Sequence, residues 1–123
     1  METVLSIIND EMKSLNINYY YMINESPKIE YPYVTGELTQ NGFDYETMTS
    51  KGDLLLDLWT RNERLELIRL CDKLKNHFMN FMKEKDGVIV HIDYATSMPI
   101  STNDNTLKRL QVNLDVTWWK GAI

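Results

Sequence analysis

The chain has 123 residues, 43% of them hydrophobic and 25% charged, which predicts a single folded domain over residues 1–123 and excludes global disorder. Its formal net charge of -5 argues against a surface built to bind nucleic-acid phosphates or an anionic membrane, because both need clustered Lys and Arg. The N-terminus lacks the features of a secretory signal and no segment approaches the roughly 18 apolar residues of a membrane span, so we expect a soluble protein made in the cytoplasm.

The first half of the chain predicts a helix and three strands. Apolar residues at three-and-four spacing over residues 1–15 indicate an amphipathic helix. Alternation over 17–23 indicates a first strand, and the run 31–40 indicates a second, ended by Asn41 and Gly42. The third strand, 53–60, alternates leucines with Leu55, Asp57 and Trp59, which is typical of a central strand.

Between the second and third strands, residues 42–52 are mostly polar, with isolated Phe43, Tyr45 and Met48. This composition predicts an exposed excursion rather than a strand.

The second half predicts a long helix and two strands. Thr60 and Glu63 have the spacing of a capping box, and the apolar stripe that follows, from Leu67 through Phe78 to Phe81, predicts a helix ended by the cations and glycine of 83–87. Alternation predicts a strand over 88–95 and the final strand over 110–118, with a loop at 98–105 between them. The order predicts an α+β fold: a largely antiparallel mixed sheet of about five strands, with both helices on one face.

The stretch YPYVTGEL, residues 31–38, contains residues that strands usually avoid. Pro32 removes a ladder donor, which suits a strand start or an edge. Gly36 allows a bulge or the close approach of another chain, and Glu37 shares a face with Tyr33 and Thr35, which indicates a wet or partner-facing surface. These features predict an edge-type strand that leads into a contact loop.

Residues with catalytic or metal-binding chemistry are present, but their spacing favours structural roles. Cys71, the single cysteine, lies about 120° around a helix from His77, so the two cannot form a nucleophilic pair; a lone cysteine also excludes an intrachain disulfide and a cysteine-based zinc site. His91 and Asp93 share a strand face, but two ligands do not make a metal site. With no phosphate-binding loop and no nucleophile–base spacing, we predict no enzymatic activity, no metal and no cofactor.

The aromatic side chains indicate an interface. Tyr and Trp occur on both faces of several predicted strands, so some rings must lie outside the core that two helices can cover, and both residue types are favoured in protein interfaces. The alternative is that the rings cover a second sheet face or pack under loops. The candidate interface residues are Tyr20, Tyr31, Tyr33, Glu37, Phe43, Asp44, Tyr45, Glu46, Met48, Trp59, Met98 and Trp119.

The order of these elements resembles the tail terminator, or tail-completion, proteins of long-tailed phages and prophages. The residues that carry the resemblance are the tyrosine-rich first strand, the Pro-Tyr-Val run with its glutamate before a polar excursion, the strand DLLLDLWTR, the long helix opening at Glu63 and the closing LKRLQVNLDVTWW. The resemblance covers nearly the whole chain, and no invariant catalytic motif anchors it.

The resemblance implies a subunit of a ring, commonly a hexamer, that caps the finished tail tube and presents a surface to the head-side connector. Its partners would be further copies of itself, the tail tube protein and the head connector or completion proteins, and DNA would pass through the ring without specific binding. Contacts would map onto the open sheet face and onto the loops 42–52 and 98–105. The place of action would be the head–tail junction of the virion, after synthesis in the host cytoplasm.

Two alternatives remain open at this stage. One is a head-completion or connector subunit on the head side of the same junction. The other is a small intracellular enzyme or ligand-binding domain of α+β type, whose site would be a buried polar cluster in a closed pocket rather than an open face with aromatic residues.

Overall fold

The computed structural model describes residues 1–121, so the last two residues of the predicted domain lie outside the described residues. The elements are α1 (Glu2–Ser14), β1 (Tyr19–Tyr21), β2 (Tyr33–Asp44), β3 (Thr49–Thr60), α2 (Arg64–Phe78), β4 (Phe81–Lys85), β5 (Val88–Ile100) and β6 (Lys108–Lys120). The predicted α+β class is confirmed.

The strands form one mixed sheet in the order β1-β2-β3-β6-β5-β4. The β1–β2 pair is parallel and the other four pairs are antiparallel, as expected for a largely antiparallel sheet. The sheet has six strands within residues 1–121, where the sequence predicted about five. The longest pairings run through β2, β3, β6 and β5, so β3 is central, as its leucine pattern indicated.

Both described helices cover the same face of the sheet. Leu54, Leu56 and Leu58 of β3 are fully buried, and they share one hydrophobic core with residues from α1 and α2, among them Ile8 and Phe78. Each such side chain contributes about 1.5–3 kcal/mol by leaving water. Because strand residues alternate between faces, the intervening side chains of β3 point to the opposite face, where no described helix lies.

The predicted extension of the long helix to residue 87 is wrong. The helix ends at Phe78, and Asn80 has a positive φ of 53°. Residues 81–85 form β4, the strand that was not predicted from the sequence. Phe81 pairs with Ile92 of β5, and the two strands are joined by Asp86 and Gly87, which have φ values of 50° and 79°. Two consecutive positive φ angles match the tightest hairpin turns, for which Asp-Gly is a preferred sequence.

The predicted polar excursion at 42–52 is also wrong, because most of it is strand. Asn41-Gly42 does not end β2: the register shifts between Gln40 and Gly42, as in a β-bulge, and pairing with β3 resumes until Asp44. The turn itself spans only residues 45–48. The result is a long β2–β3 hairpin that carries its turn at one end of the sheet.

The predicted capping box is absent at the start of α2. Glu63 is the N-cap and makes no side-chain capping bond. The Thr60 hydroxyl instead accepts a hydrogen bond from the Asn62 amide at 3.0 Å and donates to Glu66 Oε1 at 3.2 Å. Thr60 is the last residue of β3 and is fully buried, so its hydroxyl braces the turn between strand and helix.

The YPYVTGEL strand is only partly an edge. Pro32 directly precedes β2, as predicted, but β1 pairs with β2 at Val34, Thr35 and Gly36, so the strand becomes an edge from Glu37 onward. Gly36 is closely approached, but by a side chain of the same chain and not by another chain as predicted: an added Cβ would be 2.8 Å from Tyr19 Cε1.

Three other boundaries differ from the prediction. The first strand spans Tyr19–Tyr21 rather than residues 17–23, and Met22 after it has a positive φ of 70°. β5 continues to Ile100 through a register shift between Tyr94 and Thr96, so the predicted loop at 98–105 begins later, at residue 101. The final strand spans Lys108–Lys120 and includes the whole predicted run.

Candidate interaction surface

The face of the sheet away from the helices, here called the open face, carries the most distinctive chemistry. On β6 it presents Arg109, Gln111, Asn113, Asp115 and Thr117, while the alternate residues Val112, Leu114 and Val116 lie in the core. Several open-face side chains are half-buried by their neighbours within the sheet. The open face is therefore a mixed polar and aromatic surface rather than a second apolar core.

One end of the open face holds four rings, here called the aromatic corner: Tyr20, Tyr31, Tyr33 and Trp59. Tyr33 is at the centre, with ring-centroid distances of 6.2 Å to Tyr20, 5.6 Å to Tyr31 and 6.2 Å to Trp59. The register explains this meeting, since Tyr33 pairs with Trp59 and Tyr20 pairs with Thr35, two residues along β2 on the same face. Desolvation raises the pKa of the Tyr33 hydroxyl.

Hydrogen bonds and cations fix the corner rings in place. Trp59 Nε1 donates to the Thr35 hydroxyl at 3.2 Å, and the Arg109 guanidinium lies 5.0 Å from the Trp59 ring centroid. Arg109 also forms an ion pair with Asp57 at 2.8 Å. Rings held in this way lose little conformational entropy when a partner covers them, which favours an interface.

A loop from the other half of the sheet extends this arrangement. Arg61 Nε donates to the Tyr31 hydroxyl at 3.1 Å, and Arg61 Nη1 lies 2.6 Å from Asp104 Oδ2 in the loop between β5 and β6. Hydrogen bonds from Arg61 and Thr106 hold the pKa of Asp104 well below its usual range. The four rings of the corner therefore come from β1, the loop before β2, the start of β2 and the end of β3, and Arg61 connects them to the β5–β6 loop.

A row of three aspartates crosses the middle of the open face. Asp53 on β3 pairs with Asp115 on β6, which pairs with Asp93 on β5, and we call this set the acidic row. Desolvation raises the pKa of Asp115, and the carboxylates of Asp53 and Asp93 act in the same direction. Like charges placed directly opposite each other destabilise a sheet, so the row carries a cost in folding free energy.

The acidic row was not predicted from the sequence, where Asp93 was considered only together with His91. Asp93 Oδ1 accepts hydrogen bonds from the backbone amides of Asn80 and Tyr94, and His91 Nε2 lies 2.9 Å from Asn80 Oδ1, so Asp93 and His91 both brace the turn before β4. Along its own strand each aspartate alternates with apolar residues, which places it on the open face. Only the register of three strands brings the three aspartates together.

The candidate interface residues fall into separate groups. Tyr20, Tyr31, Tyr33 and Trp59 form the aromatic corner, whereas Phe43, Asp44, Tyr45, Glu46 and Met48 lie together at the tip of the β2–β3 hairpin. Glu37 is exposed on β2 opposite Leu55, and Met98 is exposed on β5 opposite Gln111. Trp119 lies at the far end of β6, opposite Ile89, and does not join the corner.

The cysteine and the helix histidine have structural surroundings. Cys71 is buried in the core, and desolvation raises the pKa of its thiol, which disfavours the reactive thiolate. His77 Nε2 contacts the Glu11 carboxylate of α1 at 2.9 Å, so the histidine links the two helices.

An open cavity lies between the C-terminal end of α1, α2 and the loop before β2. It has a volume of about 620 Å³ and is lined by charges of both signs, including Lys13, Glu30, Arg69 and Lys73. Across residues 1–121, no group of three His, Cys, Asp or Glu side chains is arranged to hold a metal ion. Neither described helix has the length and apolar character needed to cross a membrane.

Comparison with known proteins adds no identification. No protein-family model matches the chain, and no curated protein matches it.

Proposed function

We propose that the protein is a structural subunit of the head–tail junction of a long-tailed phage or prophage, where copies of it form a ring that ends the tail tube. The proposal rests on the resemblance in element order described above. The observation that supports it best is the open face, one whole side of a six-stranded sheet with a preorganised aromatic corner at one end.

The chemistry of the open face suits contacts with protein partners. Rings whose positions are fixed by hydrogen bonds and cations offer large contact areas at a low entropic cost, and Tyr, Trp and Arg are the residue types most enriched at binding hot spots. The aromatic corner combines Tyr33 and Trp59 with the neighbouring Arg109, so all three types meet there. We assign the corner to contacts with the tail tube or with the head connector.

The acidic row fits a surface past which DNA moves. Carboxylates repel phosphates, whereas lysines or arginines at the same positions would retain DNA through release of counterions. A like-charge row has a cost in folding free energy, and that cost is easier to explain if the charges serve such a purpose. A ring that exposes Asp53, Asp93 and Asp115 to its lumen would let DNA pass without specific binding.

The proposal is tested with tail tubes assembled in the absence of this protein. Purified wild-type protein is added to the tubes, and electron microscopy with labelled protein records occupancy of tube ends. We expect rings at the ends and an arrest of further tube growth. If the protein does not bind tubes but binds isolated head connectors, it belongs on the head side of the junction. If it binds neither, the proposal is refuted.

Point variants connect this result to the aromatic corner. We expect Trp59→Ala and Tyr20→Ala each to lower tube-end occupancy, while Met82→Ala, an exposed position on β4 at the opposite edge of the sheet, leaves it unchanged. Thermal melting of each variant separates loss of binding from loss of the fold.

A further inference from the structure

Two unlike patches at opposite ends of the molecule complement each other. The first is the hairpin tip, residues 43–48, and the second is a cavity beside the N-terminal end of α2, here called the basic groove. From their shape, charge and positions we propose that the hairpin tip of one copy docks into the basic groove of a second copy. This inference rests on the proposed function in one respect: it names the contact through which neighbouring subunits of the ring would meet.

The hairpin tip is an exposed apolar projection. Tyr45 is 83% exposed, Met48 63% and Phe43 40%, and the Phe43 and Tyr45 rings pack edge to face with centroids 5.0 Å apart. Isolated apolar side chains on a surface need no explanation, but three large ones on a single projecting turn indicate a contact site.

The tip is also held in one shape before any partner arrives. Asp44 Oδ1 accepts hydrogen bonds from the backbone amides of Glu46 at 2.9 Å and Thr47 at 3.4 Å, which is the geometry by which Asp stabilises turns. Met48 completes the turn with a φ of 55°. A rigid projection loses little conformational entropy on binding, so more of the free energy gained by burying its apolar surface contributes to affinity.

The basic groove has apolar walls and a cationic rim. Its volume is about 230 Å³, below the range of about 300–1,000 Å³ that is typical of small-molecule sites, so it suits one or two inserted side chains. Leu67 and Ile68 of α2 form one wall, and Ile68 is 48% exposed. The residues that line the groove are Arg64, Leu67, Ile68, Pro99, Lys108, Arg109 and Leu110.

The charges of the two patches are opposite. The tip carries Asp44 and Glu46, and neither carboxylate forms a salt bridge within residues 1–121. At the rim of the groove, Arg64 and Lys108 likewise form no salt bridge with the described residues, whereas Arg109 is engaged by Asp57. Docking would bring two unpaired anions to two unpaired cations around an apolar insertion, and such complementarity sets the orientation of an interface.

The positions of the patches require two copies. Ser50 of β3, beside the tip, pairs with Trp118, and Thr60 at the other end of β3 pairs with Lys108 at the groove. Ten residues of strand separate Ser50 from Thr60, about 33 Å at 3.3 Å per residue, so the tip cannot reach the groove of its own chain. A contact between two different patches is heterologous and, repeated, closes a ring or continues as a filament.

Charge reversal on each side provides the test. The tip variant carries Asp44→Asn, whose side-chain oxygen can still accept the hydrogen bonds of the turn, with Glu46→Lys, and the groove variant carries Arg64→Glu with Lys108→Glu. By sedimentation analysis, each variant should raise the dissociation constant for self-association by about tenfold or more, because like charges then face each other. The control matched in charge to the tip variant, Glu25→Lys with Glu84→Gln, changes exposed sites elsewhere and should leave self-association unchanged.

Mixing the variants identifies the pairing. An equimolar mixture of the tip variant and the groove variant should assemble again with the two variants alternating, because native tip meets native groove and altered tip meets altered groove, and a chain that carries both sets of changes should assemble as well. A wild-type chain that stays monomeric up to its solubility limit, or variants that assemble as the wild type does, would overturn the proposal. Melting curves confirm that each variant is folded.

The outcomes also separate this contact from the proposed function. Self-association through tip and groove without binding to tube ends supports the contact and refutes the junction role. Capping of tubes by all the reversal variants supports the junction role and overturns the contact. Loss of capping by the tip variant without any change in its self-association would mean that the tip binds a tube subunit instead of a second copy, and would also overturn the contact.

Discussion

Glu11 of α1 and His77 of α2, 66 positions apart in the chain, are joined by a 2.9 Å contact between Glu11 Oε1 and His77 Nε2. Lys83 of β4 holds the other carboxylate oxygen, Oε2, at 2.6 Å. Glu11 is one of three buried polar side chains among the described residues, so its carboxylate fastens both helices and the edge strand at one point.

Replacement of Glu11 by Gln should destabilise the protein. The amide keeps the shape but loses the charge that His77 and Lys83 contact, and hydrogen bonds to charged groups contribute about 1.5–3 kcal/mol. Denaturant unfolding at neutral pH measures the difference, and Glu84→Gln, at an exposed site on β4, is the control. An unfolding free energy equal to that of the wild type would show that the three-residue contact contributes nothing.

Protonation of the same carboxylate should lower the free energy of unfolding in acid. Burial raises the pKa of Glu11, but the hydrogen bonds from Lys83 and His77 outweigh it, so the pKa lies below its ordinary value of 4.5. A lowered pKa in the folded state means that the stabilisation is fully present above about pH 4.5 and is lost as the pH falls through the folded-state value. The Glu11→Gln variant should therefore show a shallower decline in stability below pH 4.5 than the wild type.

Gly36→Ala should destabilise the fold through Tyr19. The added Cβ would overlap Tyr19 Oη and lie 3.0 Å from Leu56 Cδ2, and such overpacking costs about 1–3 kcal/mol. Gly42→Ala is a matched control on the same strand, because the nearest atom to its Cβ would be 3.7 Å away. Equal unfolding free energies for the two variants would contradict the close packing at Gly36.

Tyr19→Phe should stabilise the protein. The Tyr19 hydroxyl is buried and makes no hydrogen bond within residues 1–121, and desolvation raises its pKa far above the ordinary value. Removal of such a group relieves a desolvation cost of about 1–3 kcal/mol and vacates the space that the methyl group added by Gly36→Ala would enter. In the double variant, the penalty of Gly36→Ala should therefore shrink, which a double-mutant cycle measures directly.

The boundary between α2 and β4 shows where the sequence misleads. Phe78 and Phe81 have helical spacing, so the apolar stripe continues across Asn80, although the left-handed backbone of Asn80 lies beyond the end of the helix. The contrary signal was Asp86-Gly87, a preferred hairpin dipeptide, which was interpreted as part of a helix end instead. Regular alternation without such competition, as in residues 53–60 of β3 and 110–118 of β6, correctly predicted strand there because one face of each is buried, although both strands extend further.

The candidate surface was less predictable than the fold, for a geometric reason. Tyr33 and Trp59 were both singled out from the sequence, but their pairing depends on the β2–β3 register, which a bulge at residues 40–42 shifts along the hairpin. The acidic row depends on two registers at once. Single-strand patterns indicate which face a side chain occupies, whereas register decides which side chains meet.

Gly87→Ala tests the turn that makes β4 possible. Gly87 has a φ of 79° and no atom within 4 Å of an added Cβ, so the penalty would come from backbone strain alone. We expect a loss of about 1 kcal/mol, the usual cost of forcing a residue with a side chain into a left-handed conformation. Hydrogen exchange should show the loss of protection concentrated in β4 and β5, and uniform protection across the sheet would contradict a local hairpin effect.

Asp115→Asn should stabilise the protein at neutral pH. The pKa of Asp115 is raised above its ordinary value of 3.8, so ionisation costs more in the folded than in the unfolded chain, and this group's contribution to stability falls as pH rises through that window. Unfavourable cross-strand charge pairs contribute about 0.2–1 kcal/mol, and the gain should be of that size.

The pH and salt dependence of this variant identify the cause. Below pH 3.8, where Asp115 is protonated in both states, the stability difference between Asp115→Asn and the wild type should vanish. Salt should also reduce it, because exposed charges are screened. Asp72→Asn on the exposed side of α2 is the control and should have little effect at any pH. A stabilisation that persists in acid would show that the Asp115 side chain acts by packing, whereas one that persists only in high salt would show that its desolvation outweighs its repulsion from Asp53 and Asp93.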